Sequence, residues 1–141
     1  MQEFIITKAK IFYPAIYEPR TAPFENSKPR YSVCFLTDDE EAVNKLTELG
    51  ILPSNRNELY HTINAYGPSI KEKYGNYKHM TEIFQIADVR NIKRDKLFMN
   101  IEAELKVRVF KCDKYGYEGN ALSLLAIIIK ADDLAANLNK I

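Results

Sequence analysis

The sequence predicts a mainly β chain, a small barrel or curled sheet of about five strands, with one helix after the second strand and a short helix near the C-terminus. Three observations carry that reading. Over residues 98–112, Ile101, Ala103, Leu105, Val107 and Val109 alternate with Glu102, Glu104, Lys106, Arg108 and Phe110, the period of a half-buried strand. A Gly-containing turn at 113–119 then leads into an apolar run over 121–129, which makes the two runs a hairpin. The strongest helical pattern lies between strands with no βαβ rhythm, which argues against a doubly wound parallel sheet.

Each element has its own signal. Residues 3–13 alternate, with Lys8, Lys10 and Phe12 on one side and Ile5, Ala9, Ile11 and Tyr13 on the other. Tyr13 is therefore expected in the core. Pro14 and Pro19 lack the amide donor a sheet interior needs, so the strand is expected to stop before them. A second strand spans 30–36, with Tyr31 and Phe35 on the core side. Thr37-Asp38-Asp39-Glu40 reads as a capping box with Thr37 as the cap. Ala42, Val43, Leu46 and Leu49 form an apolar helical face, and Gly50 ends it. Residues 51–80 hold Pro53, Gly67, Pro68 and Gly75 without a sustained period. They read as an irregular insertion with short strands or a brief helix near 58–65. A strand is expected over 81–89, a charged linker over 90–96, and a helix over 132–138.

With 141 residues the chain fits one domain, 1–141, long enough to bury a core without disulfides or metals. Hydrophobic residues make up 46% and charged residues 28%, the balance of a globular chain rather than a disordered one. The net charge of +1 excludes a uniformly basic protein but leaves room for a local basic groove. Cys34 and Cys112 lie in or at the end of apolar runs and read as reduced, buried thiols of a cytoplasmic protein. No apolar run approaches the ~18 residues of a membrane span, and no signal peptide is visible.

Little in the chain calls for catalysis or a cofactor. Gly116-Tyr117-Glu118-Gly119 is a hairpin turn rather than a phosphate cradle. His61 and His79 stand apart from metal-ligand spacing. Asp132-Asp133 suits a helix start. No Ser or Cys sits in a recognisable nucleophile setting.

The pattern with positive content is basic and aromatic. Lys8, Lys10 and Phe12 share one side of the first strand, and Lys106, Arg108 and Phe110 repeat the arrangement on the outward side of the long strand. Cations track phosphates and flat rings accept stacked bases, so such strands suit single-stranded nucleic acid. Lys71, Lys73, Tyr74, Tyr77 and Lys78 would form one lip of such a site, and Tyr115 and Tyr117 a second. A second reading stands beside it: Phe12 and Phe110 pack under a neighbouring element, and the lysines are solvated.

The stretch Lys10-Ile11-Phe12-Tyr13-Pro14-Ala15-Ile16-Tyr17-Glu18-Pro19, the strand Arg30-Tyr31-Ser32-Val33-Cys34-Phe35-Leu36, and the end of the chain, Tyr115-Gly116-Tyr117-Glu118-Gly119 before Leu122-Ser123-Leu124-Leu125-Ala126, resemble phage-encoded single-stranded DNA-binding proteins with an OB fold. The resemblance spans roughly the first quarter and last third. It implies an OB-fold-like barrel and sequence-non-specific binding of single-stranded DNA in phage replication, recombination or repair, within the host cytoplasm. It also implies frequent homodimers and contacts with replication or recombination proteins. Residues 135–141 are not acidic, a departure from the acidic tail through which many such proteins recruit replication enzymes. A phage structural or interaction module, using an exposed apolar strand at 122–129, is the alternative; an RNA-binding OB domain is a third.

Overall fold

A computed structural model describes residues 2–20, 29–64, 66–72, 95–113 and 119–138. Six strands form one sheet: β1 (Glu3–Arg20), β2 (Arg30–Leu36), β3 (Tyr60–His61), β4 (Ser69–Glu72), β5 (Glu102–Cys112) and β6 (Gly119–Ile129), in the order β3-β2-β1-β5-β6-β4. Helix α1 (Glu40–Glu48) follows β2, and α2 (Ala131–Leu138) follows β6. The expected strand over 81–89 lies outside the described residues.

The centre of the sheet is β1, which pairs antiparallel with β2 on one edge and β5 on the other. It changes register three times. Between Ile6 and Ala9 it advances three residues while β5 advances two, from Leu105 to Ala103. Between Phe12 and Ala15 it advances three against two on β2, from Cys34 to Ser32. Between Ala15 and Arg20 it gains more, against Ser32 and Arg30. Bulges add twist and bend a strand, which is how a flat ribbon becomes a curled sheet. Pro14 and Pro19 fall in the two irregular stretches, past Lys10, the last residue of β1 paired with β5. The strand therefore continues through both prolines to Arg20 rather than stopping at residue 13: a bulge does not use the amide that proline lacks.

The bulges also correct the predicted faces. Ile6, Ala9 and Ile11 are buried, while Ile5 is 48% exposed and Tyr13 50%. The Ile6–Ala9 bulge puts Ile5 on the opposite side from Ala9 and Ile11, and the Phe12–Ala15 bulge turns Tyr13 away from the core. Tyr13 adopts a left-handed conformation at φ 50°, unusual for a bulky residue. Past the second bulge, the Ile16 and Tyr17 amides donate to one carboxylate oxygen of Asp95 at 2.7 and 3.1 Å. A charge-assisted acceptor thus replaces the ladder partner these amides lack.

The sheet curls until its ends meet without a continuous ladder. Along the outer edge of β6, the C-terminal half is taken by β4, in parallel, from Ser69↔Ala126 to Glu72↔Ile129. The N-terminal half is met by the chain leaving β3: the Ile63 amide donates to the Leu122 carbonyl at 2.9 Å, and Asn64 Nδ2 to the Leu124 carbonyl at 2.7 Å. The same segment bonds β2 through Thr62 to Val33 and Asn64 to Tyr31. This is an OB-like architecture. It also removes the exposed apolar strand that an interaction module would need, since Leu122, Leu124, Ala126, Ile127 and Ile129 are buried and β6 has neighbours on both edges.

Inside lie Ile6, Ile11, Phe35, Leu46, Leu97, Phe98, Leu105, Leu122, Leu124, Ile127, Ile129 and Leu134, each almost fully buried. Phe35 stacks on Tyr60 at 5.2 Å between centroids; Tyr31, expected beside Phe35 in the core, is half-buried. Helix α1 closes one end with Ala42 and Leu46. Its N-cap is Asp39, not Thr37: Asp39 accepts from the Glu41 amide, and the Thr37 hydroxyl is already accepting from the Asp39 amide. Gly50 terminates the helix at φ 75° as expected. Of the short strands or brief helix expected near 58–65, the structure has a short strand, the two residues of β3, followed by the closing segment, because the backbone bonds there go to β2 and β6. The long strand starts at Glu102 rather than Phe98; Leu97 and Phe98 are buried in the turn before it. Asn137 Nδ2 ties α2 to that turn through the Leu97 and Met99 carbonyls at 2.8 and 2.9 Å.

If the Asp95 carboxylate holds the bend of β1, Asp95→Ala should destabilise the protein by about 1–3 kcal/mol, the cost of leaving amides unpaired. Asp95→Asn, which keeps an acceptor, should recover more than half. Urea midpoints at unchanged m-value measure this; an Ala variant with the wild-type midpoint would show that the bend does not need the carboxylate.

Candidate nucleic-acid interface

The outer face of the sheet divides into two halves. In the first, β1 pairs with β5, and β5 with β6. Lys10 lies opposite Glu102, Ile5 opposite Lys106, and Glu3 opposite Arg108. On the next strand Lys106 faces Ala126, Arg108 faces Ser123, and Phe110 faces Ala121; Lys71 of β4 is exposed beside Ile128. Lys10, Phe12, Lys71, Lys106, Arg108 and Phe110 therefore share the outward side, and Lys8 is exposed within the Ile6–Ala9 bulge. They do not form one compact patch. Phe12 pairs with β2 and Phe110 with β6, and Arg108 meets β1 at Glu3, nine residues from Phe12, up to about 30 Å along an extended strand.

Charge in this half is mixed. Glu3 accepts from Arg108 Nε at 3.0 Å and again from Nη2, and lies 3.9 Å from Lys106 Nζ. The Arg108 hydrogen bonds hold the Glu3 carboxyl below its ordinary value. Lys8 lines a cleft of about 240 Å³ with Thr7, Glu102, Glu104, Lys130 and Asp133.

The second half, where β1 crosses β2 and β3, is different. Cross-strand partners run from Phe12 through Cys34 to His61, with Lys10 beside Leu36, Ala15 beside Ser32, and Arg20 beside Arg30. Phe12 is half-buried and Tyr13 half-exposed, their centroids 6.5 Å apart at 46°. Lys10 Nζ stands 5.8 Å from the Phe12 centroid. The Arg20 guanidinium folds back over the bulge, donating to the Tyr13 and Pro14 carbonyls at 3.2 Å each. Leu36, Ile63 and Tyr66 are 46%, 40% and 79% exposed. Gly67 sets the approach of this last segment: a Cβ there would come within 3.2 Å of the Ile16 carbonyl oxygen and 3.8 Å of the Tyr31 ring.

Cys34 and His61 form the floor of this half. Cys34 Sγ lies 3.2 Å from His61 Nδ1. Burial pushes the thiol up, partly offset by Arg20, and burial pulls the imidazole down. Both shifts favour the uncharged forms, and the thiol and the ring nitrogen share one hydrogen bond. Both cysteines are free, Cys34 buried and Cys112 only half-buried. Among the described residues no group of three metal-ligating side chains comes together, and no helix is long and apolar enough to cross a membrane.

Of the remaining predicted site residues, Lys73, Tyr74, Tyr77, Lys78, Tyr115 and Tyr117 lie outside the described residues. Sequence reading missed Tyr13, Arg20, Arg30, Cys34 and His61 as members of a face. The available signal was Pro14 directly after Tyr13, since a proline inside an alternating run marks a bulge and hence a change of side.

Folded His61 binds a proton less readily than the unfolded chain, whose histidine keeps the ordinary value of 6.5. Its contribution to stability is complete above that pH and is lost as pH falls toward the lower folded value. The urea midpoint should therefore drop between about pH 7.5 and pH 5.5, and drop less in His61→Asn. An equal drop in both proteins would remove His61 from that dependence.

No family model matches the sequence, and no curated protein matches it. Solved structures do. The single-stranded DNA-binding protein from bacteriophage Enc34, as a C-terminal truncation, superposes with a TM-score of 0.61 at 10% identity, over 91% of this chain and 84% of that one. The same phage protein in complex with single-stranded DNA gives 0.61 at 9% identity, over 91% and 85%. A further structure of it gives 0.59 at 9%, over 91% and 80%. This chain has the fold of that phage protein.

Proposed function

We propose that this chain binds single-stranded DNA without sequence preference, across the outer face of β1, β2 and β3, in phage DNA replication, recombination or repair. One observation carries the reading: the half-buried Phe12 and the half-exposed Tyr13 stand on a sheet face that carries the cations Lys10, Arg20 and Arg30, with Glu18 the exposed acid of the same stretch of β1. The fold shared with a protein solved on single-stranded DNA supports it. Bases stack on the two rings and on the uncharged floor of Cys34 and His61, while the cations meet phosphates on either side. Stacking tolerates any base, because every base has a flat face.

Lys8, Lys71, Lys106, Arg108 and Phe110 extend the footprint onto the other half of the sheet in this proposal. Lys73, Tyr74, Tyr77 and Lys78 form one lip, and Tyr115 and Tyr117 a second. The resemblance in sequence adds a homodimer and contacts with replication or recombination proteins.

A labelled oligothymidine tests the reading. Affinity should fall with salt at a slope of about −0.7 per phosphate contacted, and absence of binding at ~50 mM salt would sink it. Phe12→Ala and Tyr13→Ala should each weaken binding by about 1–3 kcal/mol, with unchanged melting temperature for Tyr13→Ala. Preference for an RNA competitor of equal length would move the assignment to RNA.

A further inference from the structure

The cluster of Glu3, Lys106 and Arg108 lies at the far end of the same outer face and has the chemistry of an occupied anion site. Arg108 directs two guanidinium nitrogens, Nε and Nη2, at one Glu3 oxygen, and Lys106 Nζ lies 3.9 Å from the other oxygen. Two-point donation from a guanidinium edge is the geometry that recognises carboxylate and phosphate alike. All three side chains are more than a third exposed. An exposed ion pair contributes little to folding, so exchange of its anion costs the fold little.

We propose that Glu3 occupies a phosphate subsite of the DNA path, and that a long single strand displaces it to reach Lys106 and Arg108. This rests on the single-stranded DNA reading above and adds a division of the footprint to it. The β1–β2–β3 half, with Lys10, Arg20 and Arg30, is open to DNA at once. The β5 half engages only when the strand is long enough to reach past Ile5 and compete with an internal carboxylate. Short oligonucleotides then occupy one mode and longer ones another, and Glu3 sets the threshold between them. Neither mode requires a change in the ladder, since Glu3 and Arg108 are cross-strand partners through the backbone whatever their side chains hold.

The test compares Glu3→Gln with wild-type protein by fluorescence anisotropy, on oligothymidines of about 5 and about 16 nucleotides, the span of OB-fold site sizes. Glu3→Gln should bind the longer oligonucleotide about two- to fivefold more tightly, the worth of an exposed ion pair no longer competing. Its salt slope should steepen by about 0.7 per cation released. The short oligonucleotide should bind as before. Glu48→Gln, on the exposed surface of α1, makes the same change in net charge and should alter neither. Adding Arg108→Ala to Glu3→Gln should abolish the gain. Tightening that is equal for both lengths, or shared by Glu48→Gln, is a general charge effect and overturns the subsite. So does a Glu3→Gln variant that matches wild type on the long oligonucleotide. Wild-type protein that binds neither oligonucleotide overturns the DNA reading itself, and this inference with it.

Discussion

The whole sheet depends on one strand that must keep two neighbours while changing direction. β1 pairs with β5 from Glu3 to Lys10 and with β2 from Lys10 to Arg20, so Lys10 is where it hands over from one partner to the other. A straight strand would hold both partners in one flat layer. The bulges bend β1 instead, and the bend brings the segment after β3 within hydrogen-bonding reach of β6. Without that meeting, the N-terminal half of β6 would present bare backbone on an apolar strand, the kind of edge that invites association. Bulging leaves amides without ladder partners, and the Asp95 carboxylate takes two of them. The bend is thus compensated by a single acidic side chain contributed from 79 residues away in the chain.

The same geometry decides how much of the fold is legible in the sequence. The strand β5 is legible because its ladder with β1 and β6 is nearly regular, and Ala103, Leu105, Val107 and Val109 are buried as alternation requires. Helix α1 is legible because its apolar face and Gly50 are local signals. Its cap is misplaced by two residues because Thr37 and Asp39 are both good capping residues, and only the folded backbone decides which amide each serves. The faces of Ile5 and Tyr13 are illegible because a bulge inserts one residue without changing composition, and period-2 counting has no way to register it. The strand β3 is only half legible, its region reading equally as short strands or a brief helix. Two residues cannot display a period, and their partners are Cys34 and Phe35 of β2.

The candidate site is half legible on the same grounds. Residue type announces Lys10, Phe12, Lys106 and Arg108, but not which acids face them. Those acids divide the outer face. On the β5 side Glu102 stands opposite Lys10, and Glu3 holds Arg108. On the β2 side the partners are Leu36, Cys34 and Arg30. Two stretches with the same composition of cations and rings therefore differ in the field they present, and the difference is set by register alone. A one-residue slip of β5 against β1 would change every pair on the β5 side.

Neutrality at the centre of the β2 side completes the contrast. A stacked base is desolvated on the face it presents to the protein, so a charge beneath it would lose its own hydration without gaining a counterion. Cys34 and His61 avoid this by satisfying each other: Sγ and Nδ1 share a hydrogen bond, and burial favours the uncharged form of both groups. The cations Lys10, Arg20 and Arg30 sit around them, where a backbone rather than a base would pass, with the exposed Glu18 beside Arg20. An uncharged floor with cationic borders is what a strand of alternating flat bases and anionic linkages requires. Here it arises because the Phe12–Ala15 bulge turns Tyr13 outward beside Phe12 and so directs Arg20 back across the same bulge.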